Sequence, residues 1–514
     1  MLPCHGQVRS TRMTDLPLRF GTSEEFAACR RLLQDVGFSE EALLCRYGVG
    51  ALSALRSRSG AEPDERALGV LTRLFIDGHA ATSSQVTSAL PPRALDTLRV
   101  LGLVAPVRQE PEAWAATVML YPRAGVILVS DRPTSVDGGP AAPLREIVFS
   151  AITENTDRFL DLIPDEPSER VLDLGTGTGV AALIAARSAS RVWAVDVTER
   201  AAQFAEFNRR LNDVANVTVC QGDLYEPVRE LQFDRILIHP PYVPALQQGL
   251  IYQDAGLDGQ DITRQAVSGL TRHLRPGGRF YCLTLGVDVK DAPFEHTVRQ
   301  WLQPHDAEFD VVFAPRNTFS VPFMVRSVAV KSTTSLHDAV RLEEEFRRLR
   351  IEEFVYGDIV VQRHARPRPA FTVRRQRTQR TGRAELDWLL RWEGELAARG
   401  TEWLLDTRPQ AAPQVELLVT HRIAGGELTP AAFRLQTAYP FDMEAKAAGW
   451  MAVLLARCDG TATGHDHHAF LREQEAIPAT VTPRDFARLL GQLASGAFIV
   501  IPGFEVPEIR GVEA

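Results

Sequence analysis

The chain has 514 residues, which at about 150 residues per domain predicts three or four modules. Hydrophobic residues make up 45% and charged residues 24%, values that exclude wholesale disorder and collagen-like repeats. A net charge of −8 excludes a polycation that coats nucleic acid. Only three of the 57 basic residues are lysine (Lys290, Lys331, Lys446). Codon bias in a GC-rich genome accounts for this arginine excess; selection for planar, bidentate anion binding is the alternative. No run approaches the roughly 18–20 apolar residues needed to cross a bilayer. Met1 to Phe20 lacks the apolar stretch of a secretory signal, and Met13 is a candidate start. Six scattered cysteines with no CxxC fit reduced thiols in a cytoplasmic protein and offer no zinc cluster or disulfide framework.

In chain order, residues 1–22 read as a flexible tail. A helical, winged-helix-like domain is expected over 23–135. It begins with two helical patterns from Ser23 to about Arg46 that place Phe26, Leu32, Leu33 and Val36 on one face. Helical segments from Glu65 follow, and then two strand-like runs, Ala115–Tyr121 and Gly125–Ser130. The third helix, Pro92 to Leu101, carries only Arg93 and Arg99 as bases, so scaffolding is favoured over DNA reading. Asp137-Gly138-Gly139-Pro140 marks a linker. A catalytic block is expected over 136–331. It opens with a helix from Arg145 to Leu162, and from Val171 strands alternate with helices, the pattern of an α/β layer with a mostly parallel sheet. Strands are predicted at Val171–Leu174, Arg191–Val195, Val217–Cys220, Arg235–Ile238, Arg279–Leu283 and Asp310–Phe313.

An α+β extension is expected over 332–440, with a helix from Leu336 to Glu353, a strand from Asp358 to Gln362 and a helix from Ala384 to Ala397. Between the last two, Arg363 to Arg383 holds eight arginines and no acid. It is either a contact for RNA phosphates, with Phe371 stacking, or a solvated connector. A winged-helix-like subdomain is expected over 441–514: a helix from Met443 to Cys458, a polar loop from Asp459 to His468, a helix from Thr482 to Ala494 and a strand from Phe498 to Ile501. His465-Asp466-His467-His468 is expected as exposed loop rather than a metal site. Trp388, Trp392 and Trp403 are expected as core.

The chemistry concentrates in one region. Val171-Leu-Asp-Leu-Gly-Thr-Gly-Thr-Gly-Val180 ends a strand in glycines that let the backbone turn tightly and approach a ligand, ahead of a helix N-terminus. The dinucleotide fingerprint is GxGxxG. Here the third glycine comes one residue early, at Gly179, and the GxGxG spacing after an acid resembles the S-adenosylmethionine loop of class I methyltransferases. Asp196 ends the second strand, where a carboxylate can accept two ribose hydroxyls. Gly222-Asp223 ends the third strand, and the fourth runs into His239-Pro240-Pro241-Tyr242. That last segment resembles the Asn/Asp-Pro-Pro-aromatic site of methyltransferases acting on nitrogens conjugated to a π-system. The stretch Tyr252 to Arg264 is similar to the segment that follows it in release-factor glutamine methyltransferases. The resemblance, strong over Leu144 to Lys331, is to the methyltransferase small-domain family with an N-terminal winged-helix-like domain.

The resemblance implies a Rossmann-like seven-stranded sheet with S-adenosyl-L-methionine as cofactor. It assigns cofactor binding to Asp173, Gly175, Thr176, Gly177, Gly179, Asp196, Val197, Asp223, Leu224 and His239. Catalysis falls to His239, Pro240 and Tyr242, and acceptor binding to Pro241, Tyr242 and Asp258; no metal is implied. Two acceptors, a side-chain oxygen and the proline carbonyl, would orient a poorly nucleophilic nitrogen while the aromatic ring stacks on its planar group. Position 239 departs from the family in being histidine. A neutral imidazole offers one acceptor nitrogen in place of Asn, and it can also take a proton near pH 7. The readings left open are N-methylation of a protein or peptide side chain, a small-molecule methyltransferase with His239 as base, RNA base methylation, and an inactive cofactor-binding scaffold. No membrane partner is expected, and the oligomeric state is not legible.

Overall fold

The structure, a computed structural model, describes residues 16–57, 64–108, 110–132, 146–244, 256–331 and 336–509. Most of the expected tail, the Asp137–Pro140 linker and the start of the Tyr252–Arg264 segment lie outside these residues. The described residues divide into two compact units, one ending at Ile238 and one beginning at His239.

The first unit opens with α1 (Ser23–Asp35), α2 (Glu40–Tyr47) and α3 (Ala67–Phe75), then β1 (Ala81–Thr82), α4 (Ser83–Ala89), α5 (Ala94–Val100), β2 (Val104–Val107) and β3 (Glu110–Ala116). A Thr22/Glu25 capping box starts α1, which buries Phe26, Cys29, Leu32 and Leu33. The end of the expected tail is packed: Leu18 is buried, Arg19 N–H donates to Leu101 O at 3.0 Å, and Phe20 meets Phe207 edge-on. Strands β1, β3 and β2 form one small antiparallel sheet. A separate hairpin follows, β4 (Met119–Arg123) and β5 (Val126–Ser130). The single hairpin expected from Ala115 to Ser130 is thus replaced by two. Residues 115–116 belong to β3, and the chain leaves that sheet before Met119.

Residues 146–153 are not helical, so the expected helix to Leu162 shrinks to α6 (Glu154–Leu160), capped by Thr153. Then β6 (Ser168–Leu174), α7 (Val180–Ala185), β7 (Ala189–Asp196), α8 (Glu199–Leu211), β8 (Val217–Gln221) and β9 (Phe233–Ile238) alternate as expected. The strands are parallel in the order β8-β7-β6-β9. Val171, Leu172, Val192, Ala194, Ile236 and Leu237 are fully buried, which requires helices on both faces of the sheet.

The second unit holds α9 (Asp261–Ser268), α10 (Leu270–His273), β10 (Leu274–Val289), α11 (Phe294–Trp301), β11 (Phe309–Ser320), α12 (Val321–Lys331), α13 (Leu336–Arg348), β12 (Ile351–Arg363) and β13 (Thr372–Arg374). The strand β12 lies between β10 and β11 and is antiparallel to both, with β13 parallel along the outer edge of β11. The catalytic block was expected to end near Lys331, but strands β12 and β13 beyond it pair with β10 and β11, so this pairing continues to Arg374. The helix expected from Leu336 to Glu353 stops at Arg348, where Arg350 adopts φ +57° and turns the chain into β12.

Next come α14 (Arg383–Arg399), β14 (Gln410–Ala411), β15 (Glu416–Ala424), β16 (Glu427–Thr437) and β17 (Met443–Ala447). The chain ends with α15 (Gly449–Arg457), α16 (Gly464–Glu473), α17 (Pro483–Ser495) and β18 (Ile499–Val500). The expected helix from Met443 is a strand for its first turn, because residues 443–447 pair with β16. The expected polar loop at 464–468 is helical, started by a Thr463/Asp466 capping box. Trp388 and Trp392 are core; Trp403 is only half-buried.

The arginine run is neither a solvated connector nor an open cationic face. Six of its eight arginines are tied to carboxylates, five of them to partners distant in sequence. Arg363 pairs with Glu308 at 2.7 Å, and Arg368 holds the fully buried Asp310. Arg374 grips Asp288 at 2.6 Å and Glu295 at 2.7 Å, Arg375 meets Glu393 at 3.3 Å, and Arg383 meets Asp387 at 3.5 Å. Arg377 pairs with the buried Asp358, which Arg316 also reaches at 3.1 Å. Only Arg366 and Arg380 face solvent. Removing one partner of a buried pair strands the other charge. Arg377→Ala should therefore cost about 3 kcal/mol of stability, read as a lower urea midpoint. An unshifted midpoint would show that the pair contributes nothing.

Candidate functional site

In the first unit, the predicted cofactor residues gather at the carboxyl ends of β6, β7 and β8. The loop Gly175–Gly179 is pinned from below. Thr176 N–H donates to Val195 O at 3.0 Å, and Gly179 N–H donates to Thr176 O at 2.8 Å. Asp173 is buried and faces inward: one carboxylate oxygen accepts from Thr176 Oγ1 at 2.6 Å and Ala182 N at 3.2 Å. It shapes the loop rather than lining its outer surface. Burial pushes its pKa up to about 7, opposed by those two donors and reinforced by the charge of Asp196.

Asp196 is the keystone of the loop. Its Oδ2 accepts from Gly177 N at 2.9 Å, and its Oδ1 accepts from Thr198 N at 3.1 Å and Thr198 Oγ1 at 3.3 Å. Burial raises its pKa, and the same donors oppose that rise. Thr198 also caps α8, so one residue fixes both the carboxylate and the helix start. The three glycines differ in role. All have positive φ (+64°, +54° and +80°). A Cβ on Gly175 or Gly177 would meet no atom within 4 Å, so that stretch opens onto free space. A Cβ on Gly179 would lie 3.3 Å from Ala205 Cα, so Gly179 is needed for packing against α8. Val197 and Asp223 are exposed, and Leu224 is half-buried at φ +44°.

In the second unit, His239 and Tyr242 stack, with centroids 5.8 Å apart and planes 26° apart. Behind Tyr242 stands Tyr356 of β12, 5.5 Å away and tilted by 52°. Burial pulls the His239 pKa down to about 4, because the charged imidazolium is the poorly solvated form. Pro240 is buried and Pro241 half-buried. The turn carrying Asp258 lies against this loop: a Cβ on Gly259 would come within 2.5 Å of Tyr242 O, and its φ of +78° also demands glycine. The Asp258 carboxylate itself is turned to Gln260, accepting from its N at 3.0 Å and its Nε2 at 2.9 Å.

Three residues at these sites escaped the sequence reading. Thr198 had a legible signal, an N-cap residue two positions after a strand-end acid. Tyr356 had none, and neither had Asn208 of α8, whose amide donates to Thr178 O of the glycine loop at 2.8 Å. Among the described residues, no group of three or more His, Cys, Asp or Glu side chains could hold a metal. In the His465–His468 stretch, Asp466 caps α16, His467 is buried and His468 bonds Val481 O. No helix among the described residues is long and apolar enough to cross a membrane.

Residues 146–296 match the family model of the methyltransferase small domain. A release factor glutamine methyltransferase from Gloeobacter violaceus is 38% identical over 123 residues, covering 21% of this chain and 43% of that protein. A ribosomal protein uL3 glutamine methyltransferase from Bradyrhizobium diazoefficiens is 32% identical over 163 residues, covering 29% of this chain and 51% of the other. Another release factor glutamine methyltransferase, from Moorella thermoacetica, is 36% identical over 160 residues, covering 29% and 54% respectively. The chain spans about half the length of the curated relatives it matches. Over residues 146–296 the chain therefore carries a methyltransferase small domain.

Proposed function

We propose that the protein transfers a methyl group from S-adenosylmethionine to a side-chain nitrogen of a protein or peptide, with a glutamine amide as the leading acceptor. The observation that carries this reading is the glycine loop hung from Asp196 at a parallel strand end, open over Gly175 and Gly177, within a methyltransferase small domain. When bound, the cofactor supplies an electrophilic methyl on a sulfonium. Asp196 already accepts from the backbone of Gly177, Val197 and Thr198 and from the Thr198 hydroxyl, so a ribose hydroxyl would share or displace one of these donors. Val197 and Leu224 offer apolar contacts for an adenine ring, and Asp223 offers an acceptor for its amino group. The names of the relatives support an amide acceptor on a translation protein and a cytoplasmic setting.

An amide N–H₂ has a delocalised lone pair and gains most from being held in line. A neutral imidazole at His239 and the Pro240 carbonyl accept one N–H each, while Tyr242, backed by Tyr356, stacks on the amide plane. Pro241 and Asp258 shape the wall of this pocket. With a pKa near 4, His239 is neutral at pH 7 and a poor proton acceptor, which favours the Asn-like role over general base. The presence of histidine here is the observation that keeps a second reading alive, a small-molecule acceptor. The RNA reading loses its clamp, because six of the eight arginines in the 363–383 run are bound internally.

We read the order α3-β1-α4-α5-β2-β3, with its three-stranded sheet, as the winged-helix-like module that helps choose the acceptor. We read β6 to β9 and β10 to β12 as the seven strands of a class I methyltransferase, with β13 added. Release factor and ribosomal protein uL3 incubated with the enzyme and S-adenosylmethionine should show, by peptide mass spectrometry, one methyl group on a glutamine. Methyl transfer found only on small molecules would replace the protein reading.

A further inference from the structure

The hairpin β4–β5 precedes the family match, yet it is bonded to the cofactor loop through one side chain. Asn208, in the last turn of α8, is fully buried. Its Oδ1 accepts from Val129 N at 2.8 Å, and its Nδ2 donates to Val129 O at 3.0 Å and to Thr178 O at 2.8 Å. The partners fix the amide orientation: two carbonyls require the NH₂ and one N–H requires the oxygen. Thr178 sits between Gly177 and Gly179, in a loop whose three positive-φ glycines leave the backbone many alternatives to its native path.

One turn further on, Asn212 makes the same two-way pairing with the backbone of Ile127, at 2.8 and 2.6 Å. Its remaining bond goes to Asn208 O at 2.8 Å and not to the loop. These two asparagines give the outer edge of β5 the hydrogen bonds a neighbouring strand would supply. Only Asn208 also holds the loop. A second tie lies at the end of β5, where Asp131 receives the Arg200 guanidinium, with Nε at 2.9 Å and both side chains almost fully buried. Arg200 stands four residues beyond Asp196.

We propose that Asn208 is a positioning residue for the cofactor loop, and that the hairpin 119–130 is thereby a working part of the cofactor site. This rests on the methyltransferase reading and deepens it. Losing the Asn208 amide leaves Thr178 O without its buried donor and releases the loop from the hairpin. Losing the Asn212 amide loosens the hairpin alone. The two asparagines thus separate a structural role from a positioning one.

The test titrates full-length wild type, Asn208→Ala and Asn212→Ala with S-adenosylhomocysteine by calorimetry, beside their melting temperatures. Both variants are expected to melt earlier, while only Asn208→Ala weakens binding, by about tenfold or more. Equal affinities for the two variants overturn the proposal and leave the methyltransferase reading intact. Absence of binding by the wild type overturns that reading and this proposal with it. Amide exchange on the wild type covers the case in which Asn208→Ala does not fold. S-adenosylhomocysteine should slow exchange at Val129, and an unchanged rate there counts against the coupling.

Discussion

Asp196→Ala is expected to weaken S-adenosylmethionine binding by at least about 100-fold while leaving a folded protein. The carboxylate accepts from Gly177 N, Thr198 N and Thr198 Oγ1. Alanine removes both the anchor of the loop and the proposed ribose acceptor. Hydrogen bonds to charged groups contribute about 1.5–3 kcal/mol each, and losing two of them lowers affinity by roughly 10²–10⁴. The fold should persist, because the sheet core around Val195, Leu174 and Ile238 is untouched. Calorimetric titration measures the loss, and circular dichroism checks the fold. Wild-type affinity in Asp196→Ala would remove Asp196 from the site.

The second large effect concerns His239. An acceptor role predicts that His239→Asn keeps turnover within about tenfold of wild type, and that His239→Ala loses about 100-fold. The pKa near 4 predicts no rise or fall in rate from titration of this residue above about pH 6. A rate that climbs through pH 6–7 in wild type and is flat in His239→Asn would establish general-base catalysis instead. The same group bears on stability. Its ordinary value is 6.5 and its folded value is about 4. Between these, the unfolded chain binds a proton that the folded chain refuses. Stability from neutral His239 is complete above pH 6.5 and declines as pH falls toward 4, by up to about 3 kcal/mol. The slope in this window should be shallower in His239→Asn, as read from urea midpoints at pH 7 and pH 4.5.

The motifs and the strands that carry them were legible where they are local. The GxGxG turn, the strand-end Asp196 and the His239–Tyr242 segment each follow from neighbours within about ten residues, and the predicted strands from Val171 to Phe313 all fall within real ones. Residues whose partners are remote were misread or missed. The Arg363–Arg383 run looks solvated because its carboxylates, from Asp288 to Glu393, are scattered over about a hundred residues. Strand β12 was recognised only from Asp358 to Gln362, since Ile351–Glu353 continues the charge pattern of α13 and only Arg350 breaks the helix. Asn208 reads as an unremarkable polar residue within a helix, and its three partners appear only once β5 is laid alongside. Two features were present in the sequence and overlooked. Gly425-Gly426, both at positive φ, joins β15 to β16, but Leu417, Leu418 and Val419 in succession hide the alternation. Thr463 and Asp466 form a capping box that announces α16.

The most direct test of the account is calorimetric titration of the full-length protein with S-adenosylmethionine, beside Gly177→Arg. The backbone of Gly177 has φ +54°, donates to Asp196 and faces open space, so a large L-residue both strains the loop and fills the cradle. The wild type is expected to show one binding site per chain, and Gly177→Arg no detectable binding. No binding by a folded wild type, or equal binding by both proteins, would contradict it.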